Sequence, residues 1–255
     1  LLGVRFVDGT GAVVKNGGRV MKNVTGYDLV KLMAGARGTL GVLTEVSLKV
    51  LPAPEAEITL VARGGDLAAG VAAMAEALGS PFEVTGAAHL ALGEGETRLR
   101  IEGLAASVAY RREALRARLG GDWEAVEGAA SAALWREVRD VAPLAGRAGA
   151  VWRVALKPSD APGVIAALRD EIAGVIADWG GGLLWLLCPA GGAGVRDAVG
   201  RGHATLWRAG AGSGDMPVFP PEAPALAALA QGLRSRFDPR GLFNPGIMQE
   251  RAGSP

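Results

Sequence analysis

The sequence is poor in the residues that build crosslinks and metal centres. Its 255 residues include one cysteine, Cys188, and two histidines, His89 and His203. A single thiol can form no internal disulfide and cannot hold an iron–sulfur cluster by itself. Two isolated histidines also offer fewer ligands than a metal site normally needs. Because Cys188 follows the apolar run 183–187, we predict a small buried side chain in a reducing compartment.

Long apolar runs and an excess of charge of one sign are also missing. No stretch approaches the roughly 20 apolar residues that span a bilayer, and the first residues do not resemble a signal peptide. The net charge of +1 creates no field that would attract nucleic acid. We therefore expect a cytoplasmic protein with no transmembrane segment and no nucleic-acid partner. Any attachment to the inner membrane would be peripheral.

What the sequence does contain is a helix, a glycine-rich turn and a strand in immediate succession, over residues 22–51. Thr25 is placed to cap the helix by accepting a hydrogen bond from the Asp28 N–H. Leu29, Leu32 and Met33 then form one apolar stripe, and Gly35 suits the left-handed conformation that ends a helix. From residue 42 to 51 apolar residues alternate with a period of two, which predicts a strand.

The turn between these two elements, residues 35–41, has the sequence GARGTLG. Glycines there allow positive φ and let main-chain N–H groups approach a ligand closely. Such N–H groups suit an anion or the polar edge of a flat ring. A loop that only reverses the chain is the alternative.

Other patterns predict the remaining elements. Alternation from Leu2 to Val7, followed by Asp8 and Gly9, predicts a hairpin with a two-residue turn and a return strand over residues 12–15. We predict further strands at 58–62, 82–92, 98–102, 123–126, 150–156, 183–187 and 204–208. We predict helices at 67–78, 105–119, 130–139, 161–176 and 193–199, and a last one with an apolar face that ends at Asp238. This order favours an α+β domain with an antiparallel sheet and helices on one face.

Helix 105–119 carries Arg111, Arg112, Arg116 and Arg118, which we expect to point outward. They form either a solvated face or a docking face for an acidic partner. The residues from Asp238 to Gly246, DPRGLFNPG, predict a turn followed by an extended tail.

Three motifs resemble the FAD-linked oxidases of the vanillyl-alcohol oxidase type: TGYDL at 25–29, GARGTLGVLTE at 35–45, and DPRGLFNPG at 238–246. The wider run from Gly18, GRVMKNVTGYDL, is similar to the FAD-binding subunits of bacterial glycolate oxidases. This resemblance implies the C-terminal part of a PCMH-type FAD-binding domain at 1–53 and a ferredoxin-like α+β cap domain at 54–221. It also implies a C-terminal helix and tail, 222–255, that return to the FAD domain.

The family's glycine-rich diphosphate loop is not found in the sequence. We expect a chain that begins partway through its flavin domain and does not bind FAD without the rest, whereas the full-length protein binds it noncovalently.

The resemblance also implies site residues. FAD would be contacted by Gly35, Gly38, Thr39, Leu40, Gly41 and Asn244. His203 is the candidate catalytic residue, although relatives carry His-Gly-Asp-Gly where this chain continues Ala204-Thr205-Leu206.

The implied function is that of the FAD-binding subunit of a complex that oxidises glycolate to glyoxylate. Its partners would be a catalytic flavin subunit, an iron–sulfur subunit and a small 2-hydroxy acid. A noncatalytic assembly subunit, or a stand-alone FAD-linked oxidase of another 2-hydroxy acid, are the alternatives.

Overall fold

A computed structural model describes residues 1–21 and 26–248 of the chain. The chain forms two units: unit 1 comprises residues 1–52 and 217–255, and unit 2 comprises residues 53–216. The strands are β1 (Gly3–Val7), β2 (Val13–Gly17), β3 (Val42–Ser47), β4 (Ala56–Arg63), β5 (Val84–Ala91), β6 (Glu96–Gly103), β7 (Glu124–Glu127), β8 (Ala150–Ala155), β9 (Gly174–Asp178), β10 (Leu183–Cys188) and β11 (His203–Arg208). The α-helices are α1 (Leu29–Met33), α2 (Leu67–Leu78), α3 (Ala105–Leu119), α4 (Gly128–Arg139), α5 (Ala161–Ala167), α6 (Val195–Val199) and α7 (Pro224–Phe237).

Unit 1 is built around a three-stranded antiparallel sheet in the order β2-β1-β3. The central strand contributes Val4 and Phe6 to a small core. Val30 and Met33 of α1 and Leu40 of the glycine-rich turn complete that core. One short helix and one turn therefore hold their places through apolar contacts with the same strand.

The predicted two-residue hairpin turn is wrong. Val7 pairs with Val13, so the connection runs from residue 8 to residue 12. The Asp8 carboxylate accepts hydrogen bonds from the N–H groups of Thr10 (2.9 Å) and Ala12 (3.0 Å), which close the longer loop. The Thr10 hydroxyl also donates to this carboxylate at 2.6 Å, and this bond, together with the backbone ones, lowers the pKa of Asp8. The N–H of Gly9 instead donates to the Phe237 carbonyl at 2.7 Å, which ties this loop to the end of α7.

The helix and strand beside the glycine-rich turn are shorter than the pattern predicts. Asp28 is the residue that caps α1, because its side chain accepts a hydrogen bond from the Lys31 N–H at 3.1 Å. The predicted cap, Thr25, lies outside the described residues. Strand β3 ends at Ser47 rather than at Leu51. The apolar side chains of β3 are exposed, for example Val42 at 55% and Val46 at 48%. Burial of apolar surface therefore does not stabilise a longer strand.

Unit 2 contains an eight-stranded antiparallel sheet in the order β11-β8-β10-β9-β5-β6-β4-β7. Strands β4 to β7 with α2 and α3 form one βαββαβ half, and strands β8 to β11 with α5 and α6 form a second. Each half has the ferredoxin-like strand order, and the halves join where β5 pairs with β9. The predicted α+β class is confirmed, and the structure adds a repeat that the sequence does not display.

The two faces of this sheet are covered differently. Helices α2, α3, α5 and α6 contribute to the large core on one face, with Leu99, Trp152 and Leu184 of the strands among its fully buried residues. A smaller core on the second face includes Val138 of α4, Leu144 and Ile176.

Two predictions for unit 2 are wrong. Residues 161–176 do not form one helix, because α5 ends at Ala167 and the chain from Gly174 enters the sheet as β9 between β5 and β10. Arg111 does not point outward. It is only 7% exposed, and its guanidinium donates to the carbonyl of Glu102 at 2.7 Å and to that of Phe82 at 3.3 Å.

Candidate functional site

The glycine-rich turn of unit 1 is fixed at its end and open at its beginning. Leu40 is 5% exposed in the core beside Phe6, so it anchors the turn. The buried Thr39 hydroxyl donates to the Ala36 carbonyl at 2.6 Å, which closes the turn on itself. Gly35 (φ +88°) and Gly38 (φ +68°) are exposed and take the left-handed conformation that glycine tolerates best.

Gly41 allows the turn to lie directly on β1. A Cβ atom at this position would come within 2.7 Å of the Val7 carbonyl oxygen and 3.0 Å of the Phe6 ring. In the described part of the chain, the N–H groups of Gly38, Leu40 and Gly41 donate to no protein acceptor. The turn therefore keeps main-chain donors that a ligand could use.

The C-terminal tail of unit 1 reaches this turn. After α7, the Asp238 carboxylate accepts a hydrogen bond from the Phe243 N–H at 2.7 Å and shapes the tail. The Arg240 guanidinium donates to the Gly9 carbonyl at 3.1 and 3.2 Å. Asn244 then donates through Nδ2 to the carbonyl of Arg37 at 2.9 Å and to that of Gly38 at 3.4 Å. Residues from opposite ends of the sequence thus meet at one place.

A cavity of about 220 Å³ lies between the turn and the tail. Its lining includes Thr39 of the turn and Asn244 of the tail, together with residues of α7. Two of the α7-end residues keep a buried polar atom that has no partner among the described residues, namely Nε of Arg234 and Oδ1 of Asp238. Buried polar atoms normally have a partner, so this lining is suited to a polar ligand.

Five of the six predicted cofactor residues lie in this one turn, and the sixth, Asn244, is bonded to it. Their roles differ in the structure. Leu40 is an apolar anchor, whereas Gly38 and Asn244 are exposed and accessible. Sequence reasoning missed Arg234 and Asp238. The signal for Asp238 was available in the DPRGLFNPG motif, whereas Arg234 is one of several arginines that the sequence does not distinguish.

His203 belongs to unit 2, where it is the first residue of β11. It pairs with Ala155 of β8 and is exposed. No hydrogen bond joins its ring to another described residue, so no second group orients it. Its catalytic role stays a prediction.

The other titratable candidates are buried in unit 2. His89 is fully buried, and its Nδ1 lies 2.9 Å from the Thr97 hydroxyl. Burial lowers the pKa of His89, since the charged form is disfavoured there. Cys188 is a buried free thiol, as predicted, and burial raises its pKa to about 12. Among the described residues, no cluster of three or more His, Cys, Asp or Glu side chains could hold a metal ion.

A comparison with protein-family models gave no match. A curated relative, glycolate oxidase subunit GlcE of Escherichia coli (strain K12), is 38% identical over 251 residues, which is 97% of this chain and 65% of the relative. The chain is similar to FAD-linked oxidases. It spans 65%, slightly less than two thirds, of the length of that relative.

Other members of the family match shorter segments. Glycolate oxidase subunit GlcD of Bacillus subtilis (strain 168) is 42% identical over 62 residues, 24% of this chain and 13% of the relative. D-lactate dehydrogenase of Anaerostipes hadrus is 52% identical over 52 residues, 20% of this chain and 11% of the relative. Among solved structures, alkyldihydroxyacetonephosphate synthase superposes with a TM-score of 0.59 at 14% identity, covering 95% of this chain and 52% of that one. This likeness supports the family's fold.

Within the part of the chain that the structure describes, no helix combines the length and the apolar character needed to cross a bilayer.

Proposed function

We propose that this chain is the FAD-binding subunit of a complex that oxidises glycolate to glyoxylate. The proposal is supported by its 38% identity to the E. coli glycolate oxidase subunit over 97% of the chain. The observation that carries the cofactor assignment is the contact between Asn244 and the glycine-rich turn, 2.9 Å from Nδ2 to the Arg37 carbonyl. That contact assembles the family's two motifs into one surface.

The residues at this surface fit the polar edge of a planar ring. The N–H groups of Gly38, Leu40 and Gly41 could donate to ring oxygens or nitrogens, and exposed Asn244 offers both a donor and an acceptor. The cavity of about 220 Å³ is smaller than the typical 300–1,000 Å³ of ligand sites. It therefore suits one part of a large cofactor, and we propose that the remainder of FAD is bound outside the described residues.

In this proposal FAD supplies the hydride acceptor for oxidation of the alcohol carbon. The turn and Asn244 hold and orient the cofactor. His203 is the candidate base that takes the hydroxyl proton of the 2-hydroxy acid. We further propose that the chain works in the cytoplasm together with a catalytic flavin subunit and an iron–sulfur subunit. The word "subunit" in the names of two relatives supports a multi-subunit complex.

The cofactor assignment is tested by visible flavin absorbance. The chain, and the longer protein if its gene extends further upstream, would be purified with and without the partner subunits. Flavin that co-purifies with the longer protein in the absence of the other flavin subunit supports the proposal. A colourless protein within an active complex contradicts it.

A noncatalytic assembly role is the second candidate. It is favoured by the lack of any hydrogen-bonded partner for His203 among the described residues, and by the sequence Ala204-Thr205-Leu206 that follows it. We expect His203→Ala to slow glycolate-dependent dye reduction by the reconstituted complex by about 100-fold or more if this residue is the base. Arg201→Ala, an exposed neighbour, serves as the control. Unchanged turnover in His203→Ala would favour the assembly role.

A further inference from the structure

The second face of the eight-stranded sheet in unit 2 carries a cavity of about 830 Å³. This volume lies within the range of about 300–1,000 Å³ that is typical of small-molecule sites. Three tryptophans contribute to its lining, Trp135, Trp179 and Trp185. The charged residues of the lining are Arg100, Arg136, Arg139, Arg153, Glu57 and Asp178. The cavity therefore combines aromatic walls with an excess of positive charge.

Two of these tryptophans have specific structural features: close packing and a hydrogen bond fix Trp135, and Trp179 has a left-handed backbone. The Trp135 ring lies so close to Gly86 that a Cβ atom there would come within 2.8 Å of it. Its Nε1 donates to the Thr59 hydroxyl at 2.7 Å. Trp179 has a left-handed backbone (φ +54°) and exposes 62% of its surface. Strained backbone and a large exposed indole are both costly in a folded protein, and they often mark functional sites.

Arg153 is the cation that these indoles surround. Its guanidinium lies 5.7 Å from the ring centre of Trp179 and 5.9 Å from that of Trp185. The residue is half-buried. No hydrogen bond or ion pair joins its guanidinium to any residue that the structure describes. Its N–H donors are thus free to bind an anion.

Most of the other charges of the lining are better compensated. Arg100 lies 3.1 Å from the Glu102 carboxylate and stacks on Trp135. Arg139 forms two hydrogen bonds with Asp140. Asp178 accepts a hydrogen bond from the Trp179 N–H at 2.7 Å, and burial raises its pKa. The guanidinium of Arg136 also has no hydrogen bond or ion pair with a described residue, but Arg136 is exposed, so Arg153 is the half-buried cation of the lining that lacks a negative partner.

We propose that this cavity binds a small organic carboxylate with a flat, apolar body. The Arg153 guanidinium binds the carboxylate through paired N–H groups, and the indoles of Trp135 and Trp185 contact the body. Arginine suits this geometry because its planar fork matches the two carboxylate oxygens. The inference rests on unit 2 alone and is independent of whether FAD binds to unit 1.

Phenylacetate is a suitable probe, and tryptophan fluorescence is a suitable readout because all six tryptophans lie in unit 2. We expect saturable binding of phenylacetate to the purified chain. Phenylacetamide keeps the flat body without the charge, and acetate keeps the charge without the body. Each should bind at least about tenfold more weakly, since either the charge-assisted hydrogen bonds or the apolar contact is lost. Equal affinity for phenylacetate and phenylacetamide would overturn the proposal, as would a lack of saturation.

Variants of Arg153 test the named residue. Arg153→Gln should weaken phenylacetate binding by at least about tenfold. Arg153→Lys should lose less affinity, because lysine keeps the positive charge. Arg169→Gln, an exposed arginine of the same unit that lies 3.8 Å from Asp170, is the matched control and should bind like the unmodified protein. Unchanged affinity in Arg153→Gln would overturn the assignment. The comparison of phenylacetate with phenylacetamide uses the unmodified chain and decides the anion requirement independently.

Discussion

Replacing Gly38 by alanine tests the contact between the glycine-rich turn and the tail. Gly38 has φ +68°, and an added Cβ atom would lie 2.8 Å from Nδ2 of Asn244. The left-handed backbone costs an alanine about 1–2 kcal/mol. Moving the Asn244 amide away also breaks its hydrogen bonds to the carbonyls of Arg37 and Gly38, which are worth about 0.5–1 kcal/mol each in an exposed site. We expect Gly38→Ala to lower the free energy of unfolding of unit 1 by about 2–4 kcal/mol.

Gly11→Ala is the matched control. Gly11 also has a left-handed backbone (φ +90°), but no atom lies within 4 Å of the added Cβ position. Gly11→Ala should lower the free energy of unfolding only by the cost of the left-handed backbone, about 1–2 kcal/mol. The difference of about 1–2 kcal/mol between the two variants measures the turn–tail contact.

The assay is urea unfolding followed by two signals. Far-ultraviolet circular dichroism reports on both units, whereas tryptophan fluorescence reports on unit 2, which contains all six tryptophans. Both variants should shift the dichroism transition and leave the fluorescence transition unchanged. In a preparation that holds FAD, Gly38→Ala should also retain less flavin than Gly11→Ala. If the two variants have the same dichroism midpoint and the same flavin content, the turn–tail contact contributes neither stability nor binding.

Two further predictions concern unit 2. Arg111→Met should destabilise the unit by about 2–3 kcal/mol in urea unfolding, because it removes the buried guanidinium that donates to the part-buried carbonyls of Glu102 and Phe82. Arg116 is the control, because its side chain is 42% exposed and forms only a long ion pair. Arg116→Met should change the free energy of unfolding by less than about 0.5 kcal/mol. Equal effects of the two substitutions would contradict the buried role of Arg111. Burial lowers the pKa of His89 below that of the unfolded chain, so the unfolded state binds more protons once the pH falls below about 6.5. The free energy of unfolding should therefore decline as the pH falls below about 6.5. If its dependence on pH is unchanged in His89→Gln, this histidine is not the cause.

Local patterns predicted the elements that depend on local interactions. Helix α2 occupies residues 67–78 and α3 occupies residues 105–119, as their apolar periodicity predicts. Both are long enough for a 3.6-residue period to be distinguished from a period of two. Strand β9 was missed because GVIAD is short and apolar, and such a segment fits either a helix or a buried strand. Only its pairing with β5 and β10 decides between them.

The same distinction applies to Arg111 and to the Asp8–Gly9 turn. An arginine in an amphipathic helix is normally solvated, and the carbonyls that bind Arg111 come from β6 and from the segment before β5. Asp-Gly is a strong hairpin signal, but Gly9 donates to Phe237, more than 200 residues away along the chain. Neither partner can be found from neighbouring residues.

For the candidate site, the two motifs, the positions of the glycines and the asparagine, and the resemblance to FAD-linked oxidases can be recognised without a structure. These follow from local residue order, because glycine conformation and motif spacing are properties of short segments. Tertiary structure alone decided that Asn244 lies 2.9 Å from the Arg37 carbonyl, that Leu40 is a core anchor, and that Arg234 and Asp238 line the same cavity. It also placed Arg153 between Trp179 and Trp185. Such contacts join residues that are distant in sequence, and their geometry is fixed only when the sheets and their cores pack.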